Sequence, residues 1–148
     1  MSVSFMSPID PDFIESLRCT APIHEIPVDV LAYVGDAVYN LHCVMLSIGD
    51  GRKDVSKANR VASLWKSAKG QDQFLYFLLD RLTEEERTVV KRGRNSKGAK
   101  KRGNDASYRN STGFETLIGY LFLAKRETRL REILDVLTRF FSEPALTP

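Results

Sequence analysis

Apolar residues recur at Leu31, Val34, Val38, Leu41, Met45 and Ile48, in the steps of three and four that mark one face of a helix. The run closes at Gly49-Asp50-Gly51, a strong breaker. From Lys53 to Lys69, Val55, Ala58, Val61, Ala62, Leu64 and Trp65 alternate with Lys53, Lys57, Arg60, Lys66 and Lys69, predicting an amphipathic helix with a basic outer face. Gly70 predicts an interruption, and Gln71 to Leu82 a further helix with Phe74, Leu75, Phe77, Leu78 and Leu79 inward. Thr83-Glu-Glu-Glu86 has the form of a capping box, opening a helix at Glu84 that stops at Gly93. A loop of about sixteen residues, Arg94 to Arg109, is long enough to suggest function or disorder. Helices follow from about Thr112 to Ala124 and from Glu127 to Phe141, the latter burying Leu130, Ile133, Leu134 and Leu137. At the start, residues 1–11 read as a loose arm, Asp12 caps a short helix to about Arg18, and Pro22 to Pro27 is a connector. No stretch alternates as a strand does, so the fold class is all-α, a single domain over 1–148 with a core of about 12–142 and flexible ends.

Composition changes this picture little. With 148 residues, 43% hydrophobic and 28% charged, the chain can bury a real core and is not of disordered type. The charge distribution is more telling. Lys91 to Arg102 holds seven Lys or Arg and no acid against a net charge of only +3, which leaves the rest of the chain acidic and points to a local polyanionic partner. Such a run can equally be a solvated tract. Cys19 and Cys43 lack CxxC spacing and read as reduced cytosolic residues. The first residues match neither a secretory nor a transit segment. Asp36, Asn40 and His42 argue against a lipid-facing span at 30–48. A cytoplasmic location without membrane contact is expected.

The chemistry centres on two lone acids. Asp36 is the only charge between Val30 and Gly49, and Glu115 the only one between Asn110 and Ala124. A helix apolar nearly all round is expected to be buried, and a buried carboxylate needs a partner. Gly35 beside Asp36 and Gly119 one turn after Glu115 would let the two helices approach closely. Two facing carboxylates suit a shared magnesium ion, a hard cation that takes one or two protein oxygens and keeps several waters. Magnesium there can activate water against a phosphodiester, with the cationic loop holding the polyanion. Blander readings stay open. Thr112-x-x-Glu115 also fits a capping box, and Asp36 could be ion-paired with Arg109 or Lys57. No phosphate-binding Gly-rich loop, nucleophile elbow or His-Glu-x-x-His is present, and His24 and His42 lack ligand spacing.

At these residues the chain resembles the ribonuclease III family. Leu31-Ala-Tyr-Val-Gly-Asp-Ala-Val-Tyr39 is similar to its signature helix, and Phe114-Glu-Thr-Leu-Ile-Gly-Tyr-Leu121 to its second acidic motif. Lys91-Arg-Gly-Arg-Asn-Ser-Lys97 and Tyr108-Arg-Asn-Ser-Thr-Gly-Phe-Glu115 are similar to motifs of the short subfamily, Mini-ribonuclease III, which lacks a double-stranded-RNA-binding domain. The resemblance spans about Pro27 to Leu137. It implies an all-α endonuclease domain acting as a homodimer on double-stranded RNA and leaving 5′-phosphate and 3′-hydroxyl ends. In the subfamily the implied substrate is precursor 23S ribosomal RNA, with a ribosomal protein or pre-ribosomal particle as a possible further partner. Asp36 and Glu115 would be both the catalytic acids and the magnesium ligands. Where larger members carry two further acids, this chain has Ala32 and Thr112, as the short subfamily does. Without a second domain, RNA binding is expected to rest on Arg92, Arg94, Asn95, Lys97, Lys100, Lys101, Arg102, Tyr108 and Arg109. The competing function is a non-catalytic double-stranded-RNA-binding relative of the same fold.

Overall fold

The computed structural model describes Leu17 and residues 20–52 and 54–142. The expected arm, the body of the Asp12–Arg18 helix and the final tail lie outside the described residues. Within them the chain is helical and without strands: α1 Val28–Ile48, α2 Val55–Lys66, α3 Ala68–Leu78, α4 Glu84–Arg94, α5 Ala106–Leu123 and α6 Glu127–Ser142. Short 3-10 turns lie at Ile23–Glu25, Leu79–Arg81 and Gly98–Lys100.

Helix α5 is central, packing on α1, α4 and α3. Its Phe114, Leu117, Ile118 and Leu121 are wholly buried. The Phe114 ring meets Tyr39 edge-on at 5.0 Å and Phe74 at 5.5 Å. The Tyr39 hydroxyl, taken into this core, donates to the Trp65 carbonyl at 2.8 Å, so its polar end is satisfied. Helix α6 closes the core with Leu130, Ile133, Leu137 and Phe140, as its apolar spacing predicts. Thr83 forms the expected capping box: its hydroxyl accepts from Glu86 N at 3.1 Å, and Glu86 Oε1 accepts from Thr83 N at 2.9 Å. Glu86 is buried and also takes both Nε and one terminal nitrogen of Arg129 at 2.8 Å, pinning the start of α4 to α6.

Four expectations are corrected. Helix α1 turns inward on Leu31, Gly35, Tyr39, Cys43 and Ser47, while Leu41 and Met45 of the predicted stripe are 57% exposed. Close approach to α5 rewards small residues every fourth position, and the bulkier apolar row faces outward. Val55 and Leu64 of α2 are likewise exposed, leaving Ala58 and Ala62, with half-buried Trp65 against Phe141, as its inward contacts. The break between α2 and α3 falls at Ser67, whose hydroxyl accepts from Gly70 N at 3.0 Å; Gly70 itself lies in the first turn of α3, where a Cβ would strike the Leu64 carbonyl. Finally, α5 begins at Ala106, not near Thr112. Asp105 caps it, accepting from Ser107 N at 2.8 Å and Tyr108 N at 3.2 Å. Its polar first turns are stable because Ser107 and Asn110 donate to the two oxygens of Asp72 at 3.0 and 2.6 Å. The loop shortens to residues 95–105.

Candidate active site

The site is built on the crossing of α1 and α5. A Cβ on Gly35 would fall on the backbone carbonyl of Glu115, and a Cβ on Gly119 on that of Leu31. Two glycines thus set the helices in direct backbone contact, at a register that brings the Asp36 and Glu115 side chains within hydrogen-bonding reach of each other. Both open into a cleft of 480 Å³, walled by Asp29, Ala32, Tyr33 and Asp36 of α1, by Tyr108, Thr112 and Glu115 of α5, and by Ser96, Gly98 and Lys101 of the loop.

The burden of burial falls on one acid and not on both. Asp36 is exposed at the cleft mouth, because the far side of α1, apolar though it is, is left uncovered at Tyr33, Ala37 and Asn40, and it has no ion pair among the described residues. Glu115 is the desolvated acid. Burial, together with the hydrogen bond and charge of Asp36, pushes its carboxyl up to about 8, while a hydrogen bond from Gln71 acts in the opposite sense. The capping-box reading of Glu115 is excluded, since Thr112 lies inside α5 and its hydroxyl donates to the Tyr108 carbonyl at 3.1 Å. Pairing of Asp36 with Arg109 is excluded as well. The Arg109 guanidinium donates to Arg94 O at 3.1 Å, Asn104 Oδ1 at 3.2 Å and Asn95 Oδ1 at 3.1 Å, making it a strut across the loop.

Two carboxylates that repel each other in an open cleft fit a divalent cation: their oxygens are hard donors, and a cation would let both remain ionised. No third acid, His or Cys joins them closely enough to complete a ligand set among the described residues. An ion held there would draw its remaining ligands from water and substrate.

The predicted RNA-binding residues divide into groups. Lys101 and Tyr108 face the acids, and the Arg102 guanidinium lies 5.0 Å from the Tyr108 ring centre. Arg92, Lys97 and Lys100 point outward, exposed. Arg94 and Asn95 line a separate cleft on the other side of the loop. Two cleft or support residues escaped the sequence reading. Asp29 lies seven residues before Asp36, two helical turns away, so spacing alone could have found it. Gln71, 2% exposed, donates to Glu115 Oε2 at 3.3 Å and to Lys66 O at 3.1 Å; nothing in its polar surroundings distinguishes it.

Residues 29–126 match the model of the Ribonuclease III domain, which covers both acids and the loop between them. The fold and cleft therefore define a nuclease domain of ribonuclease III type. A Mini-ribonuclease 3 from Kosmotoga olearia is 40% identical over 124 residues, 84% of this chain and 86% of the relative. A Mini-ribonuclease 3 from Symbiobacterium thermophilum is 41% identical over 126 residues, 84% of this chain and 96% of that one. The chain belongs to the Mini-ribonuclease 3 branch of the ribonuclease III family. In fold it is similar to a Fusobacterium nucleatum protein of known crystal structure, with a TM-score of 0.70 at 24% identity, covering 79% of this chain and 95% of that one.

Proposed function

We propose that the chain is a magnesium-dependent endoribonuclease that cleaves double-stranded RNA and trims the paired ends of precursor 23S ribosomal RNA in the cytoplasm. The observation that carries the reading is the meeting of Asp36 and Glu115, each the one acid within an apolar stretch of its helix, in one cleft with Lys101. Asp36 and Glu115 would hold the magnesium ion through carboxylate oxygens. When bound, that ion supplies Lewis-acid stabilisation of the charge developing on the phosphate and lowers the pKa of a water. Gln71 holds Glu115, a residue of the cleft wall, by one carboxylate oxygen. Lys101 places a cation at the mouth, where a backbone phosphate would lie, and exposed Arg92, Lys97 and Lys100 extend the positive surface. Hydrolysis along this line leaves a 5′-phosphate and a 3′-hydroxyl.

A homodimer suits the outer face of α1. Tyr33 is 81% exposed, and Leu41 and Met45 lie further along the same side. Exposed apolar side chains on this scale call for a covering surface, and a second copy would also bring two clefts onto one duplex.

Incubation with double-stranded RNA, with and without magnesium, tests the reading. Wild type should cleave only with magnesium, and Asp36→Asn should bind RNA, keep its thermal unfolding midpoint and not cleave. Magnesium-independent binding without cleavage by wild type would instead identify a non-catalytic RNA-binding relative.

A further inference from the structure

The acid cleft leaves unused a second cavity of 390 Å³ between α3 and α4, on the far side of α5. Asn110 faces it, whereas Tyr108, Thr112 and Glu115 face the acids. Arg87, Lys91 and Arg94 line it at a spacing of four and three along α4, so one helix face offers three cations. The one acid in the wall, Asp72, already accepts from Ser107 and Asn110 on its two oxygens. The floor is apolar, from buried Leu75 and Val90. Tyr76, on the α3 side, is 82% exposed.

One atom lacks its complement. Arg94 Nε is buried from solvent and has no hydrogen-bond acceptor. A buried donor is seldom left unmet, and a guanidinium is best met by an anionic oxygen. Bare phosphate would meet the cations but would not use the apolar floor or the free tyrosine ring. An acidic peptide would meet the cations but likewise has no need of an aromatic face. A nucleotide uses all of them: phosphate on the cations, base on the ring and floor, and base edge toward Asn110. The volume lies within the range of small-ligand sites, about 300–1,000 Å³.

The two clefts are lined by neighbouring residues of the loop. Asn95 lines the second, its neighbour Ser96 the first, and Arg109 ties this turn to α5. A strand with a phosphate at Asp36 and Glu115 therefore has a cationic neighbour just past the loop. Nucleotides inside a duplex have both base faces covered and cannot fill it. We propose that this cavity captures one unpaired nucleotide of the RNA, next to the duplex that the acid cleft receives, its phosphate on Arg87, Lys91 and Arg94 and its base on Tyr76. The proposal rests on the RNA-cleaving reading for the identity of the strand.

The test titrates the full chain with adenosine 5′-monophosphate, adenosine and inorganic phosphate, followed by amide shifts in nitrogen-15 NMR. The monophosphate should shift residues of α3 and α4 and bind more tightly than either fragment. Tyr76→Ala should weaken it at least about five-fold, with Tyr76→Phe restoring it; Arg87→Ala should weaken the monophosphate and phosphate alike. In a second arm, Asp36→Asn protein should bind a duplex with an unpaired extension more tightly than the blunt duplex, and Tyr76→Ala should remove that increment. Monophosphate shifts confined to the acid cleft, or an affinity indifferent to Tyr76→Ala, would overturn the proposal. So would tighter binding of an acidic hexapeptide at the same residues, which would assign the cavity to a protein partner. If the blunt duplex binds and the extension adds nothing, this proposal alone falls. If neither duplex binds while the monophosphate does, the RNA reading falls and the nucleotide cavity stands.

Discussion

Gln71 Nε2 donates to Glu115 Oε2 at 3.3 Å from a side chain that is almost wholly buried. Its second hydrogen goes to the Lys66 carbonyl at the end of α2, so the amide is oriented from both sides and can hold the carboxylate in one rotamer. Gln71→Leu keeps the bulk and removes the grip. It should weaken metal binding by about ten-fold or more, the usual effect of losing a group that orients a ligand. Calorimetric titration with magnesium or manganese reads this directly; unchanged affinity would reduce Gln71 to a packing role.

The glycine crossing predicts a different failure. Gly35→Ala puts a methyl group into the Glu115 carbonyl, a backbone atom that cannot rotate aside. The helices must part, at a cost of about 3 kcal/mol or more. Thermal unfolding should show a lowered midpoint, and the residual folded protein should be slow because the acids have moved apart.

Glu86 yields a prediction in pH. The hydrogen bonds of Arg129 hold its carboxyl below the ordinary carboxylate value, ahead of the opposing effect of burial. A depressed carboxylate stabilises the fold above its unfolded pKa, and that stabilisation is lost as pH falls through the folded value. Glu86→Gln should therefore be less stable than wild type by about 1–3 kcal/mol at neutral pH. The gap should narrow steadily below about pH 4.5. Urea unfolding across that range checks it, and a gap that widened in acid would contradict the assignment.

Salt dependence separates struts from phosphate contacts. Lys101→Ala and Arg92→Ala should each lower the slope of log affinity against log salt by about 1. Arg109→Ala, whose guanidinium is tied to Arg94, Asn95 and Asn104, should weaken binding while leaving the slope unchanged. A reduced slope for Arg109→Ala would return it to the RNA surface.

The parts legible in the sequence were those where a residue type has one dominant use. Thr83 and Glu86 form the capping box their spacing announces, and α6 buries its periodic leucines. Gly35 with Asp36, and Glu115 with Gly119, meet as paired glycines and lone acids suggest. The misses occur where tertiary contacts reassign a residue. Ser107 and Asn110 look like loop until Asp72 supplies acceptors from α3, and Leu41 and Met45 look like core until Gly35 sets which face of α1 can approach α5. Asp36 is expected to be buried for another reason, that α1 is apolar nearly all round, whereas the side that carries it stays uncovered with Tyr33.

Helix α5 is sewn to its neighbours twice, closely to α4 through Gly93 and Gly113 on one side and more closely still to α1 through Gly35 and Gly119 on the other. Main chain touches main chain where α1 crosses α5, so the spacing of the two helices beneath the acids is set by backbone rather than by side chains that could be exchanged. The α1–α5 crossing thus depends on residues that have no side chain, and among the helix-packing positions Gly35 and Gly119 should be the least tolerant of substitution.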